Sequence, residues 1–213
     1  MNIEQRARKG GIELRRDDNG TPRIAGVAAV YYRQGDVSTE YELWPSGASH
    51  KRAVERIMPG AFDDAVKRDD VIARFNHDHN LVLGRSSAGT LILSLSERGL
   101  EYDTIPADTS IYRDTATMIE RGDVQGSSFA FFVDSTGEEW RMDGDQEVRE
   151  IHAVSRLVDV SPVTDPAYAG TTTEARSRWE ERVTQLQRDR ERSNVDRQIA
   201  SRARYLKLIR HAC

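Results

Sequence analysis

Cysteine is almost missing from this chain. Cys213, the last of 213 residues, stands alone, so no internal disulfide can form and no cysteine-based metal site exists. Long apolar runs are missing too. The longest is about six residues against the ~20 that a membrane helix needs, and Met1–Lys9 is charged where a signal peptide would be apolar. A soluble, intracellular protein is the expectation. Hydrophobic residues make up only 38% of the chain, low for its full length, so polar ends around one core domain are expected.

Positive charge is outnumbered over most of the length. From Glu174 onward there are 11 Lys/Arg against 6 Asp/Glu, so with −4 for the whole chain the first 173 residues carry −9. An acidic body argues against a specific nucleic-acid partner. The basic end is a charged helical extension, with Trp179, Val183 and Leu186 on one stripe and Val195, Ile199 and Leu206 on another. It has too little apolar surface to fold alone. Residues 1–21 are polar, broken by Gly10-Gly11 and Asn19-Gly20, and read as a flexible arm. The organisation expected is therefore an arm over 1–21, a folded domain over 22–173 and an extension over 174–213.

Short apolar segments fill the middle. Strands are expected over Ile24–Tyr32, Tyr41–Trp44, Val54–Ile57, Val71–Phe75, Leu81–Arg85, Leu91–Leu95 and Leu100–Ile105, and a short helix where Pro59 precedes Phe62, Ala65 and Val66. Ser110–Arg121 reads as a helix, with Ile111, Thr115, Met118 and Ile119 on one face and Gly122 to end it. A hairpin is expected near Trp140–Asp145, then one long strand over Val148–Val160 that Pro162 breaks. The fold class is α+β, mainly β: a closed barrel of short antiparallel strands with helices around it and a helical tail.

The chain is organised around Gly122–Val133, where a polar turn delivers Ser127 and Ser128 into the apolar run Phe129–Val133. Strand alternation puts Ser128 on a face with Ala130, whose methyl group leaves room beside the hydroxyl, and puts Ser127 on the other. A serine at such a junction serves as a nucleophile or simply bonds locally. His77 and His79 flank Asp78 at a strand end. A plain strand-end cap is the commonest use of such residues, and a general base and a metal site share the alternative evenly. Asp159 sits between Val158 and Val160, where a carboxylate needs a partner such as a histidine N–H or else faces solvent.

These residues follow an order that resembles a known family. Met58-Pro59-Gly60-Ala61-Phe62, His77-Asp78 with Leu83-Gly84-Arg85, Gly122-Asp123 leading to Ser128-Phe129-Ala130-Phe131, and Asp159-Val160-Ser161-Pro162-Val163 with Pro166-Ala167-Tyr168 together resemble the prohead (capsid maturation) proteases of tailed bacteriophages. The resemblance spans roughly residues 24–173 and extends in fold to the herpesvirus assembly proteases. It implies a serine endopeptidase, without cofactor or metal, that cleaves the major capsid protein and scaffold inside the assembling prohead in the host cytoplasm. It also implies trimming of the chain itself, with room for self-association and no membrane partner. Carried over, Ser128 is the nucleophile, His77 the base and Asp159 the acidic third member. The family more often has Glu at that third position, which leaves His152 as the alternative orienter of His77. Two other readings compete: a metal-dependent hydrolase built on His77, Asp78 and His79, and a catalytically inactive assembly scaffold.

Overall fold

The computed structural model describes residues 3–45 and 51–166. The helical extension expected from residue 174 lies outside them. Within the described residues the chain is mainly β. The strands are β1 (Glu4–Lys9), β2 (Ile12–Arg16), β3 (Pro22–Val30), β4 (Tyr41–Trp44), β5 (Ala53–Ile57), β6 (Ile72–Arg74), β7 (Val82–Arg85), β8 (Leu91–Ser96), β9 (Gly99–Thr104), β10 (Gly126–Phe132), β11 (Glu138–Asp143), β12 (Gln146–Ile151) and β13 (Arg156–Val163), with helices α1 (Ala65–Arg68) and α2 (Ser110–Arg121).

No sheet closes into the expected barrel. The strands form three open sheets, ordered β1-β10-β13-β6-β7, β11-β12-β5-β4 and β2-β3-β9-β8. Nor is the pairing wholly antiparallel, because β12 runs parallel to β5 and β13 parallel to β6. Alternation in a sequence marks which face of a strand is buried; it says nothing of which strand lies beside it. All three sheets nevertheless feed one core. Ile24 and Ala28 come from β3, Ile57 and Ile151 from the sheet of β5 and β12, and Phe129, Phe131, Leu157 and Val160 from the sheet of β10 and β13. At its centre Phe129 stacks on Phe131 at 4.8 Å and meets the edge of Phe62 at 5.5 Å.

Two local expectations give way to tertiary structure. The single strand over Val148–Val160 is two strands, β12 and β13, in different sheets, joined through the irregular residues 152–155. Pro162 does not break β13; it pairs with Ser127 on one side, and its carbonyl accepts from the Asn76 N–H at 3.0 Å. The arm expected to be flexible also forms structure, since β1 and β2 take up most of residues 4–16. Its charge misleads because the charge is compensated. Arg6 donates to Glu55 at 2.7 and 2.8 Å and to Glu4 at 2.8 Å, and Arg149 bonds Glu4, Glu55 and Glu138. Burial works against the Arg6 and Arg149 charges, but the surrounding carboxylates outweigh it and raise both pKa values above the ordinary range.

Helix α2 has the bounds that its pattern predicts. Thr109 caps it by accepting from the Tyr112 N–H at 3.3 Å, and Gly122 ends it in the left-handed conformation at φ 82°. The buried positions are Tyr112, Thr115 and Ala116, so the inward stripe is rotated from the one expected. Helix α1 is only one turn, preceded by hydrogen-bonded turns over 59–64.

Gly99 opens β9 at φ 142°, where an added Cβ would stand 2.0 Å from the Ala29 carbonyl oxygen. Backbone cannot move aside as a side chain tip can. Gly99→Ala is expected to destabilise the chain by about 2–3 kcal/mol, seen as a lower midpoint in urea unfolding followed by circular dichroism. An unchanged midpoint would show that β3 and β9 yield there.

Candidate active site

The site lies on one face of the five-stranded sheet. In β10 the core-facing side chains are Phe129 and Phe131, so Ser128 falls on the opposite face, and its cross-strand partners are Ser161 in β13 and Ala7 in β1. Asp159, two residues before Ser161 on β13, shares that face. The end of β6 supplies the third group. There Asn76 and His77 both adopt positive φ, 51° and 58°, the only non-glycine residues to do so among those described. Such backbone costs about 1–3 kcal/mol per residue and persists only where its surroundings hold it. They do: Thr164 N–H donates to Asn76 Oδ1 at 2.9 Å, and the His77 N–H donates to Ser161 Oγ at 3.3 Å. The bend turns the imidazole back over the sheet.

The result is a chain of three side chains. His77 Nε2 lies 2.6 Å from Ser128 Oγ, and His77 Nδ1 lies 2.5 Å from Asp159 Oδ1. A carboxylate only accepts, so the ring hydrogen sits on Nδ1 and leaves the Nε2 lone pair toward the serine hydroxyl. Both ring nitrogens then face protein oxygens, and the Ser128 hydroxyl at 2.6 Å stands where a metal ion on Nε2 would have to sit. Asp159 is 1% exposed. Its second oxygen accepts from Arg74 Nη1 at 2.9 Å, and Ser161 Oγ donates to Oδ1 at 3.3 Å. The Ser128 hydroxyl also lies 2.9 Å from the Arg6 main-chain carbonyl oxygen.

The remaining candidates fall elsewhere. Ser127 donates to the buried Tyr102 hydroxyl at 3.2 Å on the core side of β10. Asp78 and His79 are exposed. His152 is 46% exposed, with Glu150 and Glu139 at 3.6 and 4.0 Å, so it is not the group behind the His77 ring. Among the described residues, the trio close enough to share an ion is Glu139, Glu150 and His152, which is not the cluster that the sequence suggests. Arg74, Asn76, Ser161 and Thr164 were missed by sequence reasoning. Arg74 carried a signal, since a charged residue inside the apolar run Val71–Phe75 needs a buried counter-ion.

The chain matches the description "caudovirus prohead serine protease" over residues 10–185. It belongs to that family. The resemblance drawn from the four motifs therefore holds, and it makes a prohead serine protease of phage maturation the family's activity. No curated protein and no solved structure matches the chain. Among the described residues of this family member, no helix is long and apolar enough to cross a membrane.

Proposed function

We propose that this prohead protease is a serine endopeptidase that cuts capsid and scaffold proteins by acyl transfer, with Ser128 as nucleophile, His77 as general base and Asp159 as its orienter. The observation that carries this is the unbroken chain Ser128 Oγ, His77 Nε2, His77 Nδ1 and Asp159 Oδ1, with contacts of 2.6 and 2.5 Å. Ser128 Oγ attacks the peptide carbonyl carbon while its proton passes to His77 Nε2. Asp159 holds the Nδ1–H and balances the imidazolium charge. His77 then returns the proton to the departing amine, leaving an ester on Ser128. Water, deprotonated in turn by His77, releases the acid and restores the hydroxyl.

The setting is the assembling prohead in the host cytoplasm, and the substrates are the capsid protein and its scaffold. The basic extension from residue 174 serves as the element that loads the enzyme into the shell, and the enzyme removes it by cutting itself. A metal-dependent reading draws no support from His77, whose ring is closed in between the Ser128 hydroxyl and the Asp159 carboxylate at 2.6 and 2.5 Å. A scaffold that had lost activity would have no use for a strained His77 held between an acid and an alcohol.

A fluorophosphonate reagent tests the reading directly. It is expected to modify one peptide, the one containing Ser128, and to leave the Ser128→Ala chain untouched. Labelling elsewhere, or cleavage that survives labelling but stops with a chelator, would reject it.

A further inference from the structure

The nucleophile is already occupied. Ser128 is fully buried, and β1 lies antiparallel along β10 with Ala7 opposite Ser128. The main-chain carbonyl that meets Ser128 Oγ is that of Arg6, at 2.9 Å. A hydroxyl has one hydrogen, so the Arg6 carbonyl oxygen and His77 Nε2 compete for it, and whenever it turns to the carbonyl it is withdrawn from the base. β1 is thus seated where a scissile segment would sit, in a posture that does not react. It is an end strand of its sheet, and without it the edge of β10 beside Ser128 would be free to pair with another extended chain. Gly10 and Gly11, both left-handed at φ 80° and 79°, form the joint between β1 and β2. β1 also precedes residue 10, where the match to the family begins.

The side chain that accompanies that carbonyl is held specifically. Arg6 makes a two-pronged contact with Glu55, Nε to Oε1 at 2.7 Å and Nη2 to Oε2 at 2.8 Å, and its guanidinium lies 5.6 Å from the Phe131 ring centre. Glu55 belongs to β5, in another sheet, and is fully buried. With β1 gone, Glu4 and Arg6 leave together. Arg149 is then shared between Glu55 and Glu138, two carboxylates to one cation. A buried carboxylate in surplus calls for a cation, and its fork geometry matches a guanidinium better than an ammonium.

We propose that β1 sits in the substrate groove, and that this groove selects an extended segment with arginine at the residue whose carbonyl meets Ser128, Glu55 being the specificity-determining counter-ion. This rests on the protease reading above and names its substrate class. β1 holds the groove until a better-paired segment replaces it.

The test uses the full-length chain with two peptides, one with the sequence of residues 3–10 and a copy with glutamine in place of Arg6. Mass spectrometry is expected to find the first cut after that arginine, at least about thirtyfold faster than the copy. Arg6→Ala in the enzyme is expected to raise the rate about tenfold by weakening the resident strand, and Glu55→Gln to erase the preference. Both variants alter a buried ion cluster, so a second measurement leaves it intact: fluorescence anisotropy of the labelled peptides on the Ser128→Ala chain. There the arginine peptide should bind at least about tenfold tighter than its copy. Equal rates or equal binding for the two peptides would overturn the proposal. If fluorophosphonate still labels Ser128 and other protein substrates are cut, the protease reading survives that failure. If nothing is labelled or cut by either the native or the Arg6→Ala chain, both fall.

Discussion

Replacing Ser128 with alanine is expected to lower kcat for capsid-protein cleavage by about a million-fold, to the level where only binding and polarisation of the carbonyl remain. Among the described residues, nothing else near the His77 ring can take the role. Ser127 points to the core and Tyr102, and Ser161 Oγ faces Nδ1 at 3.2 Å, on the wrong side of the ring to give a proton to Nε2. The substitution removes one hydroxyl and its contacts to His77 and Arg6 and leaves β10 paired on both sides, so unfolding should shift by no more than about 1–2 kcal/mol. Intact mass should separate the two chains as well. The native enzyme is expected to shorten with time through loss of the extension beyond residue 173, while the variant keeps its full mass. Cleavage by the purified variant at a tenth of the native rate would remove Ser128 from the mechanism, whatever its distance from His77.

Asp159→Asn is expected to have the second largest effect, about ten-thousand-fold in kcat. The amide is nearly the same size, yet it can offer its NH2 to Nδ1 and so favour the tautomer with hydrogen on Nε2, which cannot accept the serine proton. A second consequence distinguishes this site from a simple triad. Arg74 is 7% exposed, and Asp159 is the counter-ion its Nη1 donates to at 2.9 Å, so the variant strands a buried positive charge. The loss of stability should reach about 3–5 kcal/mol. Pairing Asp159→Asn with Arg74→Met is then expected to restore much of the stability and none of the activity, because the methionine removes the stranded charge without returning an acceptor to Nδ1. His152→Ala provides the contrast, with kcat within about twofold of native, as befits an exposed surface substitution. If instead His152→Ala crippled turnover and Asp159→Asn did not, the orienting role would pass to the histidine.

Much of this site can be read in the sequence, for reasons that differ residue by residue. Ser128 stands out because a polar residue enters an apolar strand beside an alanine, and Asp159 because a carboxylate lies between two valines. That His77 joins them depends on two left-handed residues after β6, and although Asn and His tolerate that backbone better than most residues, the sequence does not say where the bend aims the ring. The motif order supplies the connection that local chemistry cannot. The fold is legible to a similar depth. Gly122 and Thr109 delimit α2, whereas the partners of β5 and β13 depend on parallel contacts between segments some 90 residues apart, beyond the reach of any periodicity. The first sixteen residues mislead most. Glu4, Arg6, Glu13 and Arg15 look like a solvated arm, and only the presence of Glu55 and Arg149 across the core makes Glu4 and Arg6 fit to be buried.

The strand-paired seam between β13 and β6 is just two residue pairs long, Asp159 with Ile72 and Val160 with Ala73. Past it, single hydrogen bonds from Asn76 to Pro162, His77 to Ser161 and Thr164 to Asn76 replace the ladder. The proposed base, His77, and its proposed orienter, Asp159, are mounted on opposite sides of that seam, while Ser128, the proposed nucleophile, rides on β10, which is zipped to β13 along seven pairs. Warming should therefore open the short join first, swinging the imidazole away while the aromatic centre stays packed. Turnover is expected to vanish several degrees below the calorimetric transition and to return on cooling, so that temperature silences this enzyme before it melts it.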